Sequence, residues 1–370
     1  MRIYRLMMAQ PKTIILGVCL MVGNALSAAC AASGTQGASF LEIPIGAGPA
    51  ALGSAYGALA SDAYAPVFNP AGLGFLDSTQ VAAQHVSYLE SMNYEFLSVV
   101  HPLRPGDALG ISAQYLTSGD ITRTEDITGN PIGSYSDSFG AYSLAYGHAL
   151  SDRLSLGLTG KLIYSKLDDV SAQAYAGDIG SFYKINNKLN VAAIVDNIGS
   201  KLTFLNDGDS LPLTFHLGTA YLPTVHWSLS GEVVIPKAGP TGLHAGVEWR
   251  PLELISLRAG YRTDSMKELS ALAGFSTGIG LSLWGQELAY AWVPYGDLGS
   301  AQYISLVLRF GERARQSKNL IQYQSIKSPR TAKQQQQDQL NQPDSQQMMQ
   351  LFNEEETRER VGQTPEPHAR

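Results

Sequence analysis

Charged side chains are sparse in the central part of this chain, and six of them occupy positions from which they could contact a ligand or one another. They are Lys161, Asp178, Glu248, Arg258, Arg262 and Arg309. Glu248 and Arg258 fall on neighbouring predicted strands and on the same face, which favours a buried ion pair that holds the register of the two strands. A ladder of charges that guides a substrate is the alternative, and the sequence leaves both open.

Signatures of catalysis and of metal binding are missing from the sequence. It contains no Gly-x-Ser-x-Gly, no His-Glu-x-x-His and no phosphate-binding loop. Its histidines are scattered and form no spaced cluster with Asp or Glu. We therefore expect no catalytic residues, no cofactor and no metal site.

The elements that must position the charges are strands, because apolar and polar residues alternate with a period of two. Leu154, Leu156, Leu158, Leu162 and Tyr164 share one face of a segment whose other face carries Ser, Gly, Thr and Lys. A soluble sandwich also alternates, but its polar face meets bulk water and can carry many more charges. The small, weakly charged polar face is typical of a packed barrel interior. A charge on the lipid face would cost ~2–4 kcal/mol near the midplane, so the six charges should face inward.

About fourteen such segments are present, and strands of about ten residues suit a tilted membrane crossing. We place them near 80–90, 93–102, 107–117, 136–149, 153–165, 174–184, 188–197, 211–222, 225–235, 241–250, 254–262, 268–276, 278–294 and 301–311. Turn residues such as Pro105-Gly106-Asp107 separate them. An even strand count predicts that both chain ends lie on the same side of the membrane, in the periplasm.

Composition agrees with an all-β transmembrane antiparallel barrel in lipid. The chain is 44% hydrophobic but only 16% charged, with 37 Gly and 18 Tyr. Beyond the leader, no run of about 18 apolar residues is present, so helical spanning is excluded. A closed barrel is the other fold that satisfies every backbone group in lipid. The net charge of −6 argues against nucleic acid as a partner.

The first residues, 1–29, have the pattern of a secretory signal peptide. Positive charges precede a short apolar core, Thr13 to Met21, and small residues follow it. We expect export, cleavage between Ser27 and Ala31, and location in a bacterial outer membrane, with its lipid as a partner. Cys30 follows Ser-Ala-Ala, somewhat like a lipoprotein acceptor site, and whether it is lipidated stays open.

Residues 30–77 lack sustained alternation and are rich in Gly, Ala and Pro, which predicts a hatch inserted into the lumen ahead of the barrel, 78–311. Asn69, Pro70, Ala71 and Gly72 should form a rigid corner between them, since Pro70 restricts Asn69 to extended conformations. Asn69 can hydrogen-bond local backbone, and Gly72 permits angles that side chains forbid. The corner either directs the chain into the wall or holds the hatch and sets permeability.

After Phe310 the composition changes, and residues 312–370 include Gln334-Gln-Gln-Gln337 and an acidic run. Such a polar stretch cannot bury enough apolar surface to offset its ordering entropy. It predicts a disordered periplasmic tail, either a solvated extension or a binding arm for a partner.

Two stretches carry a family resemblance. The run from Ile45 to Tyr64, followed by Phe68-Asn-Pro-Ala-Gly-Leu73, resembles the N-terminal signature of the PorV/PorQ family, within the FadL-like superfamily of outer-membrane barrels. The closing stretch from Tyr290 to Gly299, with Ile304 to Phe310, resembles that family's last hairpin. The resemblance covers 38–311, and implies a fourteen-stranded barrel with an N-terminal hatch. Ser54, where an apolar residue is expected, and the long tail depart from it.

Relatives implied by the resemblance include fatty-acid and aromatic-hydrocarbon transporters and a component of the type IX secretion system. Two functions therefore stay open. The barrel transports a hydrophobic small molecule, with the hatch as its gate, or it is a non-enzymatic partner of secretion-system proteins in protein secretion or surface attachment.

Overall fold

The computed structural model describes residues 36–125, 129–264 and 272–311. The expected signal peptide, 1–29, the first residues of the expected hatch and the expected tail, 312–370, lie outside the described residues. Within the described part of the chain, none of the helices combines the length and apolar character needed to cross a membrane.

Fourteen antiparallel strands close into a barrel, which confirms the predicted fold class and strand count. The chain's strands are numbered β1 to β18 in order, and four of them lie outside the barrel. The barrel strands are β1 (Thr79–Ser87), β2 (Asn93–Arg104), β3 (Asp107–Thr117), β6 (Ser138–Ala149), β7 (Leu154–Leu167), β8 (Val170–Lys184), β9 (Leu189–Gly199), β12 (Thr214–Thr224), β13 (Trp227–Pro236), β14 (Gly242–Leu252), β15 (Ile255–Arg262), β16 (Phe275–Leu283), β17 (Gln286–Pro294) and β18 (Ser300–Phe310). The first strand closes the barrel by pairing with the last, Val81 opposite Leu308.

Twelve of the predicted strands coincide with observed ones to within four residues at each end. Of the predicted strand 268–276, residues 268–271 lie outside the described residues, 272–274 form a turn and only 275–276 belong to β16. The predicted strand 278–294 is wrong, because this range contains most of β16 and all of β17, joined by a tight turn. Trp284 and Gly285 occupy that turn, both with positive φ (52° and 81°). Such a two-residue turn reverses the chain inside a run that looks like one long strand.

Two small hairpins were not predicted. They are β4 (Ile121–Thr124) with β5 (Pro131–Tyr135), and β10 (Lys201–Phe204) with β11 (Asp207–Ser210). Both are inserted in connections at the same end of the barrel, which we call the loop end. At the opposite end, the turn end, the barrel strands are joined by connections of only two or four residues. In an outer-membrane barrel short turns face the periplasm and long loops face outward, which would make the loop end the extracellular one.

The two faces of the wall differ as the alternation predicts. On β7, Leu156 and Leu158 point outward and are 45% and 57% exposed, while Ser155 and Lys161 are buried in the lumen. Large apolar side chains are therefore exposed on the outside of the barrel, where lipid replaces water as their surroundings.

Residues 36–78, the N-terminal segment, fill the lumen. The segment contains helices at Ala47–Ala51 and Ala65–Phe68 and 3₁₀ turns at Ser39–Glu42 and Pro70–Phe75. It starts at the loop end, where Gln36 pairs with Ser210 of the β10–β11 hairpin. It then runs down to the turn end and enters β1. The barrel itself begins and ends on one side, because β1 starts and β18 finishes at the turn end, as the even strand count predicts. Gln36, the first described residue, lies at the loop end, and the two chain ends lie outside the described residues.

Candidate functional site in the barrel lumen

Wall side chains bind the backbone of the N-terminal segment at many points. Gly57 N donates to Glu232 Oε2 (2.9 Å), and Gly53 N donates to Ser276 Oγ (3.1 Å). In the other direction, Ser155 Oγ donates to the carbonyl of Ala71 (2.6 Å) and Thr159 Oγ1 donates to that of Pro66 (3.1 Å). An irregular buried backbone needs such partners, because unpaired peptide groups are costly away from water. Polar residues of the inward face, most of them small, therefore hold the segment.

Glycines in the wall let the N-terminal segment approach the strands directly. Gly147, Gly157 and Gly180 lie side by side on β6, β7 and β8. A methyl group built at Gly157 would lie only 2.2 Å from Ala71 N. A second pair, Gly246 opposite Gly260, lies under Leu52 and Gly53 in the same way. We call these the large and the small glycine pads, and they leave no room for a side chain between wall and segment.

The predicted corner residues sit on the large pad. Asn69 is fully buried, and its Nδ2 donates to the carbonyls of Gly57 (2.9 Å) and Ser181 (3.2 Å) while its Oδ1 accepts from Ala71 N (3.1 Å). Asn69 is extended, with φ of −165°, as expected before Pro70. Gly72 is needed for a reason other than backbone angle: its φ is not positive, but a Cβ there would lie 1.5 Å from the Ala60 carbonyl oxygen.

Glu248 and Arg258 lie opposite each other on β14 and β15, within a larger cluster of charges. Arg258 Nε donates to Glu248 Oε2 and Arg258 Nη2 donates to Glu287 Oε1, each over 2.6 Å. Arg250 Nη2 lies 2.6 Å from Glu248 Oε1, and Arg309 Nη2 lies 3.5 Å from Glu287 Oε2. The cluster thus alternates in sign along β14, β15, β17 and β18.

The other predicted charges form two separate groups. Lys161 Nζ lies 2.7 Å from Asp178 Oδ2 and donates to Asn197 Oδ1 over 2.9 Å. Arg262 instead pairs with Asp264 just beyond β15, Nε to Oδ1 over 2.9 Å, and so is not part of the Arg258 cluster. The six charges therefore lie in three places rather than along one ladder.

Asp264 also accepts from His244 Nε2 over 2.9 Å. Burial raises the pKa of a carboxyl group, but here the hydrogen bond from His244 and the charge of Arg262 hold the pKa of Asp264 well below its usual range. Asp264 therefore carries a full negative charge at neutral pH.

Several polar residues of the lumen were not among the six predicted lumen charges. They are Arg250, Glu287, Asp196, His216, Glu232, His244 and Asp264. Glu287 was lost because the turn at Trp284-Gly285 was not recognised, so the inward face of β17 was not assigned. Gly285, within that run, is the residue that could have indicated the turn. Glu232 and His244 do alternate with apolar neighbours, and that pattern could have placed them inward.

A cavity of about 290 Å³ lies at the loop end, between the N-terminal segment and strands β9, β12, β13, β14 and β15. We call it the mouth cavity. Leu41, Ile43 and Ile45 line it from the segment, and charged side chains line it from the wall. In the described part of the chain no group of three or more His, Cys, Asp or Glu is arranged to hold a metal ion.

The fold is similar to solved structures of hydrocarbon channels. The Ralstonia pickettii toluene transporter TbuX matches with a TM-score of 0.52 at 11% identity, covering 72% of this chain and 98% of that one. The monoaromatic hydrocarbon channel CymD matches with a TM-score of 0.51 at 12% identity, covering 73% of this chain and 98% of that one. The Pseudomonas putida toluene transporter TodX matches with a TM-score of 0.50 at 14% identity, covering 71% of this chain and 96% of that one. At these identities the likeness is one of fold alone.

No curated protein matches this sequence significantly. A family model does match, described as type IX secretion system protein PorV, and it covers residues 28–224, more than half of the 370. Together with the closed barrel and its apolar outer face, this makes the chain an outer-membrane β-barrel, and it belongs to the PorV family.

Proposed function

We propose that this protein transports a hydrophobic small molecule across the outer membrane, without catalysis, and that the N-terminal segment is its hatch. The observation that carries the proposal is the mouth cavity, which opens at the loop end and has apolar residues of the N-terminal segment as one side. A molecule that enters there contacts the hatch directly, so its binding can be coupled to movement of the segment.

The contacts between hatch and wall suit a gate. They are hydrogen bonds with polar side chains of the wall, including Glu232, and close contacts on the glycine pads, so a rigid shift of the segment breaks hydrogen bonds rather than ion pairs. An uncompensated buried charge would cost far more than a lost neutral hydrogen bond.

Uptake by intact cells tests transport. Cells that produce the full chain in their outer membrane should take up toluene or a bulky hydrophobic dye faster than cells with the empty vector. Ile43→Trp, which places a larger side chain in the mouth cavity, should remove most of that increase. Leu158→Trp adds the same group to the lipid face and should leave it intact. If uptake does not exceed that of the empty vector at normal outer-membrane yield, the transport proposal fails.

The PorV family match supports a second candidate, a role in a protein secretion or surface-attachment machinery. The hairpins β4–β5 and β10–β11 provide polar surface at the loop end for such a partner. Co-purification from mild detergent with secretion-system subunits, and loss of secreted proteins on deletion of the gene, would support it. Normal secretion in the deletion strain would contradict it.

A further inference from the structure

The mouth cavity has two unlike sides. The N-terminal segment lines it with Leu41, Ile43, Ile45, Val67 and Phe68, which are apolar. The opposite side, formed by the strands and the residues just beyond them, carries most of the cavity's ionisable groups. They are Asp196, His216, Glu232, His244, Arg262 and Asp264. A ligand that fits both sides has an apolar part and a polar head.

The charge of the polar side decides the sign of that head. The cavity is lined by four carboxylates, since Glu42 adds to Asp196, Glu232 and Asp264, and by one arginine, Arg262. With all four acids ionised, the formal charge of the cavity is −3 when both histidines are neutral and −1 when His216 and His244 are both protonated. An anionic head, such as the carboxylate of a fatty acid, is therefore repelled, and a cationic head is attracted.

Two buried acceptors on this side have no hydrogen-bond partner among the described residues. One is Asp196 Oδ1, whose other oxygen lies 3.4 Å from His216 Nε2. The other is His244 Nδ1, on a side chain that is only 6% exposed. Because His244 Nε2 donates to Asp264, Nδ1 of the neutral ring is an acceptor. Buried acceptors normally have partners, so these two indicate a ligand that supplies N–H donors.

We propose that the mouth cavity binds an amphiphilic amine, with its ammonium group against Asp196 and its hydrocarbon part against Leu41 and Ile43. An ammonium group offers three donors and no acceptor, which matches both the charge of the cavity and the unpartnered oxygen of Asp196. The proposal rests on the transport function proposed above and narrows its substrate class. The volume of about 290 Å³ is sufficient for an amine with a short hydrocarbon chain.

Three probes with the same hydrocarbon chain length but different head groups test which head group the cavity prefers. Octylamine, octanol and octanoate are offered to the full chain in amphipol, and binding is measured by equilibrium dialysis at pH 7. We expect octylamine to bind at least tenfold more tightly than octanoate, with octanol between them. Asp196→Asn should reduce that ratio severalfold. Glu95→Gln, the same kind of change on the outer wall, should leave it unaltered.

Glu42→Gln provides a second variant, because Glu42 lies on the N-terminal segment and its loss does not disturb a strand. It should also reduce the ratio. If octanoate binds as tightly as octylamine, or if neither variant changes the ratio, the amine proposal is overturned. The transport proposal is then still decided by the uptake assay. If none of the three probes binds, the amine proposal is likewise overturned. A positive uptake assay beside that result would show that transport is right and the substrate class wrong.

Discussion

Arg258 and Glu248 lie directly opposite each other on neighbouring strands, and the guanidinium Nε donates to the carboxylate over 2.6 Å with both side chains almost fully buried. Arg258 also binds Glu287, so one cation holds two carboxylates from two strands. The three residues therefore connect β14, β15 and β17 beneath the N-terminal segment.

The charge cluster predicts a non-additive mutational effect. Arg258→Ala leaves two carboxylates close together and should destabilise the barrel more than Glu248→Ala, which leaves Arg258 bound to Glu287. Removing one partner of a dry buried pair costs about 3–5 kcal/mol, and water in the lumen reduces this. In urea unfolding of the refolded barrel, the double variant should be less harmful than the sum of the singles by ~0.5–3 kcal/mol. Simple additivity would count against coupling.

The predicted corner can be tested as a gate. Asn69→Ala with Gly72→Val removes three hydrogen bonds and places a side chain on the Ala60 carbonyl. The segment should loosen while the wall still closes, because the ladder bonds of the strands lie elsewhere. Outer-membrane yield should be near normal, and uptake of a bulky hydrophobic dye should change. Wild-type uptake at normal yield would refute the gate, and failure to insert would show that the corner is needed for folding.

The large glycine pad makes a matched comparison possible within one strand. Gly157→Ala would force apart the wall and Ala71, and overpacking of this kind typically costs about 1–3 kcal/mol. Gly160→Ala, three residues along β7, meets nothing within 4 Å and should change stability by less than about 0.5 kcal/mol. Unfolding curves and protease sensitivity of the N-terminal segment measure both effects. Equal behaviour of the two variants would mean that the segment does not rest on the pad.

The path of the N-terminal segment predicts surface labelling near its start. In a Cys30→Ser background, Ser39→Cys should react with a membrane-impermeant maleimide on intact cells, because Ser39 is exposed at the loop end. The positive control is Leu205→Cys, in the turn between β10 and β11, because Leu205 is 83% exposed. Asp152→Cys, in a turn-end connection, should react only after lysis. If Leu205→Cys were labelled but Ser39→Cys were not, the start of the segment would not be accessible at the loop end, and the path described for it would be wrong.

Two properties follow from the proposed export and the closed barrel. The mature protein should lack residues 1–29, which intact-mass measurement can detect, and the folded barrel should migrate differently on a gel before and after boiling. Recovery of the uncleaved full-length chain from the soluble fraction would contradict both.

The sequence determined the wall of this protein almost completely. Side chains on a strand point alternately to opposite faces, so the run around Leu156, Leu158 and Lys161 assigned lipid and lumen sides by residue type alone. The same parity placed Glu248 and Arg258 on one face. It failed only where a turn was hidden inside a continuous pattern, at Trp284-Gly285, and with it the role of Glu287 was lost.

Only the tertiary structure decided what fills the barrel and how. Three features depend on contacts that exist only once the barrel has closed. Ala71 packs against Gly157, Arg262 pairs with Asp264 rather than with the Arg258 cluster, and Gln36 lies at the loop end. Residues 36–78 have no repeating pattern, and their partners lie up to 258 positions away in the chain. Local periodicity reports the direction of a side chain from its own strand, but the residue it meets across the lumen is set by barrel closure and register.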